Sequence, residues 1–335
     1  PDKIRNIGIV AHAKTGKTSL TEALLYDAGA IDKLGKSDDG NTISDYDEEE
    51  IQRKTSINTS LCICEWNGHK INLLDTPGYS DFVGDQESAI RVADILLLIA
   101  DSTVGVEAGT EKAWFKADKY ERPRIIFVNK IEKENAKFDE TIESLESLGG
   151  KIVPVNLPIG IGPTFKGIVD LVRMKAFAKP DSGKKLQPID VPADMQDQID
   201  SFRERLIDAV AETNDELLEK YLGGEELTDE EISNGLKEGI TNNSFVPVFF
   251  GSALANVGPQ IILDMIGYFP SPVDLPPTKA KKMGSDEEIE LTADPNGPLA
   301  AFVFKSITDP YAGKVNFFRV YSGTLKADSS VYNAS

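Results

Sequence analysis

Cysteine and histidine are scarce in this sequence of 335 residues, which contains two of each. Cys62 and Cys64 stand two positions apart, so on a strand they lie on the same face, and cysteines this close seldom form a disulfide. A cysteine-based metal site needs two further ligands, and none has suitable spacing. Two thiols without a disulfide framework indicate a reducing compartment, and both are interpreted as packed strand residues.

Long apolar runs and excess positive charge are also missing. The longest apolar run, residues 95–100, is far shorter than the about 20 residues that span a membrane, and no leader pattern opens the sequence. Lys and Arg number 36 against 55 Asp and Glu, a net charge of −19, which argues against a free-standing nucleic-acid binder. A local patch can still dock, because charges are screened over about 8 Å. We expect a soluble cytoplasmic protein without a membrane partner.

What is present is typical of a globular protein of roughly two domains. Short apolar segments predict strands over residues 4–10, 59–66, 70–75, 94–101, 124–129 and 245–250. The Asn67-Gly68 dipeptide between the second and third indicates a hairpin, and helical patterns separate most of the others. The first half is therefore predicted to be a mainly parallel α/β sheet with one antiparallel edge hairpin. Polar, poorly periodic residues 29–53 predict a mobile loop.

The pattern changes after about residue 155, where strands are predicted over residues 165–179 and acidic helices over 193–221 and 228–241. We interpret residues of about 156–244 as an α+β subdomain inserted into a first domain of residues 1–277. A linker is expected over residues 278–297, and a β-rich pattern from 298 to 335 predicts the first part of a β-barrel domain. Because residues 298–335 are too few to close a barrel, we expect a fragment that ends inside its second domain.

Residues 11–18 read Ala-His-Ala-Lys-Thr-Gly-Lys-Thr and match a phosphate-binding loop between a strand and a helix. Small residues let backbone N–H groups turn towards phosphate oxygens, and the helix N-terminus favours the anion. Lys17 would neutralise phosphate charge, and the Thr18 hydroxyl would ligate Mg²⁺. The nucleotide-binding residues predicted here are His12, Ala13, Lys14, Thr15, Gly16, Lys17, Thr18 and Ser19.

Three further loops follow predicted strands in the order that a guanine-nucleotide site requires. Asp75 would hold a metal-bound water, and Gly78 would present its N–H to the γ-phosphate. Asn129, Lys130 and Glu132 have the amide, the aliphatic stem and the carboxylate that recognise guanine. Gly251, Ser252 and Ala253 would offer a backbone N–H to the base. Open α/β sheets bind ligands at the carboxyl ends of their strands, so the four loops together predict a GTP/GDP site with Mg²⁺.

These residues resemble the translational GTPases, and most closely elongation factor G. The resemblance spans essentially the whole chain and is carried by residues 78–82, 105–107, 117–120, 128–130, 270–272 and 304–313. It implies a P-loop GTPase domain with the inserted subdomain of elongation factor G and the start of its β-barrel domain. It also implies GTP hydrolysis by a monomer that docks on the ribosome, contacting rRNA and stalk proteins.

Four positions depart from the family pattern, and together they resemble the divergent elongation-factor-G-like paralogues rather than the housekeeping factor. Tyr79 replaces the usual His that orients the attacking water, and Ser56 replaces the metal-ligating Thr, although Thr55 is an alternative ligand. Glu132 replaces the Asp that binds guanine, and Lys14 replaces an Asp of the phosphate loop. The predicted metal set is Thr18, Ser56 and Asp75, and the predicted catalytic set is Lys17, Gly78 and Tyr79. Because a tyrosine hydroxyl stays neutral near pH 7, we expect binding to survive better than turnover.

Two other classes of function remain open at this point. The substitutions Tyr79 and Ser56 favour a non-hydrolysing module that uses the nucleotide as a ligand for ribosome docking. A phosphotransferase is a weaker alternative, because no acceptor pocket is evident. The acidic run of residues 45–50 is interpreted as a solvated face rather than a second metal site, and the acidic helices of the insertion as either a solvated face or a protein-binding surface.

Overall fold

A computed structural model describes residues 1–179, 186–282, 284–309 and 311–334. Parts of the predicted insertion (180–185), linker (283) and last segment (310 and 335) lie outside the described residues. The strands are β1 Ile4–Ala11, β2 Ser60–Trp66, β3 His69–Asp75, β4 Ile95–Asp101, β5 Arg124–Asn129, β6 Ile152–Pro154, β7 Asn156–Ile159, β8 Gly167–Asp170, β9 Lys175–Ala178, β10 Gln187–Ile189, β11 Val246–Phe250, β12 Thr278–Lys281, β13 Glu288–Leu291, β14 Ala300–Asp309 and β15 Gly313–Ser322. The helices are α1 Lys17–Asp27, α2 Glu48–Arg53, α3 Val83–Val92, α4 Ala108–Lys119, α5 Phe138–Glu146, α6 Gln196–Ala211, α7 Asp215–Leu222, α8 Asp229–Thr241 and α9 Pro259–Asp264.

A seven-stranded sheet with the order β2-β3-β1-β4-β5-β11-β6 forms the centre of the molecule. All neighbouring strands are parallel except β2 and β3, which are antiparallel. Asn67 and Gly68 join that pair with φ angles of 46° and 73°, as a tight hairpin turn requires. Every residue of β4 and β5 is buried, because helices cover both faces of a parallel sheet. The predicted parallel sheet with its edge hairpin is confirmed.

The insertion forms a layer of its own between β6 and β11. Its strands form an antiparallel sheet with the order β10-β9-β8-β7, followed by α6, α7 and α8. Helix α8 begins with a capping box in which the Thr228 and Glu231 side chains each bond the other's backbone N–H. The chain then returns to the central sheet as β11. We propose that the inserted subdomain spans about residues 156–244, between these two points.

The last two strands pair as an antiparallel ribbon, β14–β15, that packs on the central domain. The Arg91 guanidinium of α3 lies 4.3 Å from the centre of the Phe302 ring. Arg319 donates to the Val92 carbonyl at 2.6 Å and forms an ion pair with Asp94. The described residues of this second unit do not form a closed barrel. Within the described ranges, no helix is both long and apolar enough to cross a membrane.

The prediction of a loop throughout residues 29–53 is wrong at its end, where α2 forms. Asp47 caps this helix by accepting the Glu49 N–H at 2.9 Å, and Glu50 completes a capping box. Glu22 of α1 fixes the preceding loop, because its carboxylate accepts the N–H groups of Gly35 and Ile43 at 2.9 and 2.6 Å. Local capping and a buried clamp thus order a segment that has little hydrophobic periodicity.

Candidate nucleotide-binding site

A cleft of about 620 Å³ opens at the carboxyl ends of the central strands, within the size range of small-ligand sites. Most predicted site residues line it, namely Ala13, Lys14, Gly16, Lys17, Thr18, Ser19, Ser56, Gly78, Tyr79, Asn129, Lys130, Glu132 and Ala253. The others, which support this lining, are His12, Thr15, Asp75, Gly251 and Ser252. Four loops that are far apart in sequence therefore meet at one edge of the sheet.

The loop between β1 and α1 has the backbone shape of an anion cradle. Lys14 and Gly16 have φ angles of 64° and 98°, which turn successive peptide groups towards the cleft. A Cβ at Gly16 would lie 2.3 Å from Asn129 Nδ2, so only glycine fits there. Asn129 Nδ2 also donates to the Thr15 carbonyl at 2.8 Å, which ties the loop to β5.

Lys17 is a buried cation held by carbonyl groups. Its Nζ donates to the His12 carbonyl at 2.8 Å, and no carboxylate lies within ion-pair distance in the described part of the chain. Burial lowers the pKa of Lys17 to about 8, against the attraction of Asp75, Asp45 and Glu107. A phosphate oxygen would supply the compensating charge that this ammonium lacks.

The loop after β3 brings Gly78 against the phosphate loop. A Cβ at Gly78 would lie 2.3 Å from Lys17 Nζ and 2.8 Å from the backbone nitrogen of Ala13. A side chain at this position would therefore fill the space beside the ammonium. Tyr79 follows on the rim of the cleft and exposes 39% of its surface.

Hydroxyl and carboxylate oxygens meet next to Lys17. Thr18 Oγ1 and Ser56 Oγ are 3.0 Å apart, and Ser56 Oγ donates to Asp45 Oδ1 at 2.7 Å. An octahedral Mg²⁺ with oxygens at about 2.0–2.1 Å separates neighbouring ligands by about 2.9 Å, so the Thr18 and Ser56 pair fits that ion. It is Ser56, rather than the alternative Thr55, whose hydroxyl contacts Thr18.

Asp75 lies behind these hydroxyls and is 1% exposed. Neither of its carboxylate oxygens forms a hydrogen bond of normal geometry within the described residues. Burial, reinforced by the neighbouring Asp45, raises the pKa of Asp75 to about 7, although Lys17 opposes the shift. The Asp75 carboxylate has only weak contacts from the Ser44 and Thr18 hydroxyls, and oxygen ligands of this kind suit a hard cation that carries water molecules.

The opposite end of the cleft is built from the loop after β5. Lys130, with a φ of 67°, donates from Nζ to the Lys14 carbonyl at 2.8 Å and to Asp101 Oδ2 at 2.6 Å. Its stem therefore lies between this loop and the phosphate loop. Glu132 Oε2 is buried without a hydrogen-bond partner in the described ranges. A purine with N–H donors would satisfy this oxygen.

The loop after β11 completes that end of the cleft. The Ala253 N–H donates to Asn129 Oδ1 at 2.9 Å, so Asn129 bridges the loops after β11 and β1. Ser252 Oγ accepts the Ala255 N–H at 2.9 Å. A Cβ at Gly251 would lie 2.4 Å from the Val257 carbonyl oxygen, which makes glycine necessary in this turn.

His12 shapes the phosphate loop through its backbone. Its carbonyl accepts the Thr15 hydroxyl at 3.0 Å as well as the Lys17 ammonium. Its Nε2 is 3.5 Å from Glu107 Oε1, and a Cβ at Gly109 would lie 2.7 Å from the His12 Cα. The imidazole thus packs against the start of α4.

Sequence reasoning missed Asp45 and Asp101, which orient Ser56 and Lys130. The interpretation of residues 45–50 as a solvated face is wrong for Asp45 and Glu50, which are 5% and 1% exposed. The spacing of Asp47 and Glu50 is a capping-box pattern that signals α2. Nothing in the local sequence indicates that Asp45 meets Ser56.

Two family models match successive parts of the chain. The family model described as "Elongation factor Tu GTP binding domain" matches residues 2–271. The model described as "Elongation factor G domain 2" matches residues 298–335.

Curated relatives and a solved structure resemble the chain over nearly all of its length. Proteins named "Elongation factor G" from Thermotoga maritima and Thermotoga sp. RQ2 are 42% and 43% identical over 100% of this chain. The chain spans about half of these relatives, 49% and 48% of their lengths. A crystal structure of a protein from Thermus thermophilus superposes with a TM-score of 0.85 at 34% identity, covering 97% of this chain and 46% of that one.

Proposed function

The chain belongs to the elongation factor G family of translational GTPases, and from that premise we propose that it binds GTP with Mg²⁺, hydrolyses the γ-phosphate and uses the nucleotide state to control docking on the ribosome. The observation that carries the proposal is the buried Lys17 ammonium, which faces a cleft formed by four loops and has no carboxylate partner among the described residues. The proposal includes a cytoplasmic monomer with domains at residues 1–277 and 298–335, joined by a linker at 278–297.

Binding of the phosphates would depend on charge and on backbone groups. Lys17 would neutralise the β- and γ-phosphates, and the N–H of Gly78 would meet a γ-phosphate oxygen because no side chain separates them. Guanine would be held by Asn129, by the stem of Lys130 and by the free oxygen of Glu132. The last contact would reject adenine, which lacks the matching N–H donors.

Thr18 and Ser56 would hold Mg²⁺ directly, and Asp75 through a water molecule. The chemistry that the ion supplies when bound is neutralisation of charge on the phosphates. Asp45 would keep the Ser56 hydroxyl oriented, since the two already share a hydrogen bond.

The residue at the position that orients the attacking water, Tyr79, limits the proposed hydrolysis. Tyr79 lies on the cleft rim, and a phenol is a weaker proton acceptor than an imidazole, so it would orient a water without accepting its proton. Phosphoryl transfer depends on positioning and electrostatics, so this residue would reduce turnover more than affinity. We expect slow intrinsic hydrolysis that a ribosomal partner accelerates.

A titration of the 335-residue chain with GTP, GDP, ATP and XTP in the presence of Mg²⁺ tests the proposal, with phosphate release followed in the same samples. GTP and GDP should bind, and Lys17→Ala should lose most of the affinity. Lys326→Ala, which removes an equal charge near the C-terminus, is the control. Preference for ATP would contradict the guanine assignment.

Replacement of Tyr79 by His separates the enzyme from the second candidate, a non-hydrolysing ribosome-binding module, which the exposed tyrosine favours. If the chain is a GTPase whose tyrosine orients the attacking water poorly, Tyr79→His should raise ribosome-stimulated single-turnover hydrolysis about tenfold or more. This estimate is modest, because general acid–base catalysis contributes about 10²–10⁴-fold to reaction rates. Tyr79→Phe should be slower than wild type. Nucleotide-dependent ribosome binding without phosphate release in all three proteins would favour the non-hydrolysing module, and equal, measurable rates would contradict the role assigned to Tyr79.

A further inference from the structure

A short connector, residues 54–59, joins α2 to β2 and contains Ser56, whose hydroxyl faces Thr18. Its middle is held by α2, because the N–H groups of Ile57 and Asn58 donate to Glu50 Oε1 at 2.9 and 3.0 Å. The Glu50 side chain is buried, so this clamp is protected from water. The position of Ser56 therefore depends on contacts made by the residues that follow it.

The end of the connector is held from two other elements. The Thr59 hydroxyl donates to the backbone carbonyl of Asp85 in α3 at 3.2 Å. The Thr59 carbonyl accepts a hydrogen bond of 2.5 Å from Nζ of Lys305, which belongs to β14. Lys305 follows a register shift in the β14–β15 ribbon, and its ammonium lies 5.9 Å from the Phe317 ring centre. A residue of the second unit thus reaches the loop that contains the proposed metal ligand.

Lys305 is half-buried in acidic surroundings. The ammonium is attracted by Asp85, Glu50 and Asp47, which belong to α3 and to the beginning of α2. Burial lowers the pKa of Lys305, and these carboxylates oppose that shift. The ammonium therefore bonds the connector directly through the Thr59 carbonyl and attracts the acidic side chains of α2 and α3 through its charge.

We propose that Lys305 is a positioning residue through which the β14–β15 ribbon holds Ser56 in place to ligate Mg²⁺ beside a bound triphosphate. The inference rests on the proposed function and assigns a part of it to the second unit. Because binding couplings are reciprocal, a triphosphate that orders Ser56 also strengthens the contact between the ribbon and the connector.

The test measures nucleotide affinity in the 335-residue chain, for GTP with Mg²⁺ and for GDP without it. Lys305→Met should weaken Mg²⁺-dependent GTP binding about 5–10-fold, the lower part of the range for coupled sites, and leave Mg²⁺-free GDP binding unchanged. Lys305→Arg should bind close to wild type, and Lys305→Gln, with a shorter polar head, should lie between the two. Lys314→Met, at an exposed position of β15, is the matched control and should bind like wild type.

Limited trypsin digestion supplies a readout that is independent of affinity. Arg53 is exposed just before the connector, so saturating GTP and Mg²⁺ should protect the bond after it in wild type but less in Lys305→Met. Unchanged GTP affinity and unchanged protection in Lys305→Met would overturn the positioning role while leaving GTP binding intact. A parallel loss of Mg²⁺-free GDP affinity would also overturn it, because it indicates general damage. A wild-type chain that binds neither nucleotide would overturn the proposed function and the inference together.

Discussion

Individual charged side chains in the cleft are buried without the partners that buried charges normally have. Lys17 is 6% exposed and is held only by carbonyl oxygens among the described residues, and Asp75 is 1% exposed without a hydrogen bond of normal geometry to either carboxylate oxygen. Buried charges are costly unless they are compensated. The charges of these two side chains are therefore not fully compensated by the described protein groups, which agrees with the proposed binding of phosphate and Mg²⁺.

Replacement of Asp75 by Asn should stabilise the nucleotide-free chain. Because burial raises the pKa of Asp75 to about 7, the carboxylate opposes folding at pH 8, and a neutral amide should raise the free energy of unfolding by about 1–3 kcal/mol. Urea unfolding without Mg²⁺ measures this, with the exposed Asp81→Asn as control. The same variant should lose Mg²⁺-dependent GTP affinity. A less stable Asp75→Asn chain would contradict the argument.

The affinity for GTP should fall as the pH rises through about 8. Burial lowers the pKa of Lys17 to about 8, so the ammonium is fully charged below that pH and loses its proton above it. If only the charged form binds phosphate, the affinity at pH 9 should be about tenfold lower than at pH 7. Lys17→Arg should bind more weakly but with little change over this range, because a guanidinium stays charged. Calorimetry at several pH values measures the profile, and a flat wild-type profile would exclude this origin.

Among the elements, α2 connects the acidic segment to the cleft. It has only six residues, so its stability depends on its cap and on its tertiary contacts. Glu50 contributes to the cap and to the tertiary contacts. Its Oε2 accepts the Asp47 N–H at 3.3 Å, and its Oε1 accepts the N–H groups of Ile57 and Asn58 in the connector. The acidic residues of this helix are therefore not equivalent, and only the buried one is structural.

Replacement of Glu50 by Ala should expose the amides of Ile57 and Asn58 to hydrogen exchange. Loss of a capping side chain costs about 0.5–2 kcal/mol, so the protection of these two amides should fall by about 2–30-fold. The exposed Glu48→Ala on the same helix is the matched control and should leave both rates unchanged. Equal exchange in the two variants would show that Glu50 does not hold the connector.

At the scale of the whole molecule, one buried ion pair links the second unit to the central sheet. Asp94 is 0% exposed at the start of β4, and its Oδ1 lies 2.5 Å from Arg319 Nη2 of β15. Its other oxygen accepts two hydrogen bonds from Asn6, at 3.2 and 2.7 Å. The β14–β15 ribbon therefore supplies a charge that the central domain needs.

Replacement of Arg319 by Met should destabilise the chain by about 3–5 kcal/mol, because it leaves Asp94 buried without its cation. The double variant Asp94→Asn, Arg319→Met removes both charges and should recover a large part of that loss. Thermal and urea unfolding of the two variants and of Lys314→Met measure the effect. A double variant less stable than Arg319→Met would contradict the ion-pair explanation.

Local patterns in the sequence predicted six of the seven strands of the central sheet, all but β6, and the positions of the four loops that line the cleft. Continuous apolar runs predict buried parallel strands, Asn67-Gly68 predicts the hairpin, and glycine marks the points where the backbone approaches its neighbours. These signals depend on residues close in sequence, so they can be interpreted without knowing the packing. The role of α2 was missed because its stability comes from one buried glutamate rather than from apolar periodicity.

The sequence alone determined the order of the strands along the chain, the loop chemistry and the departures at Tyr79, Ser56, Glu132 and Lys14. Packing determines which carboxylates are buried and which distant residues meet, such as Asp45 with Ser56 or Lys305 with Thr59. The physical reason is that side-chain periodicity reports the face of one element, whereas burial and pairing depend on which elements pack against each other. Asp45, which the sequence places in an acidic, apparently solvated run, is buried by packing and bonds Ser56.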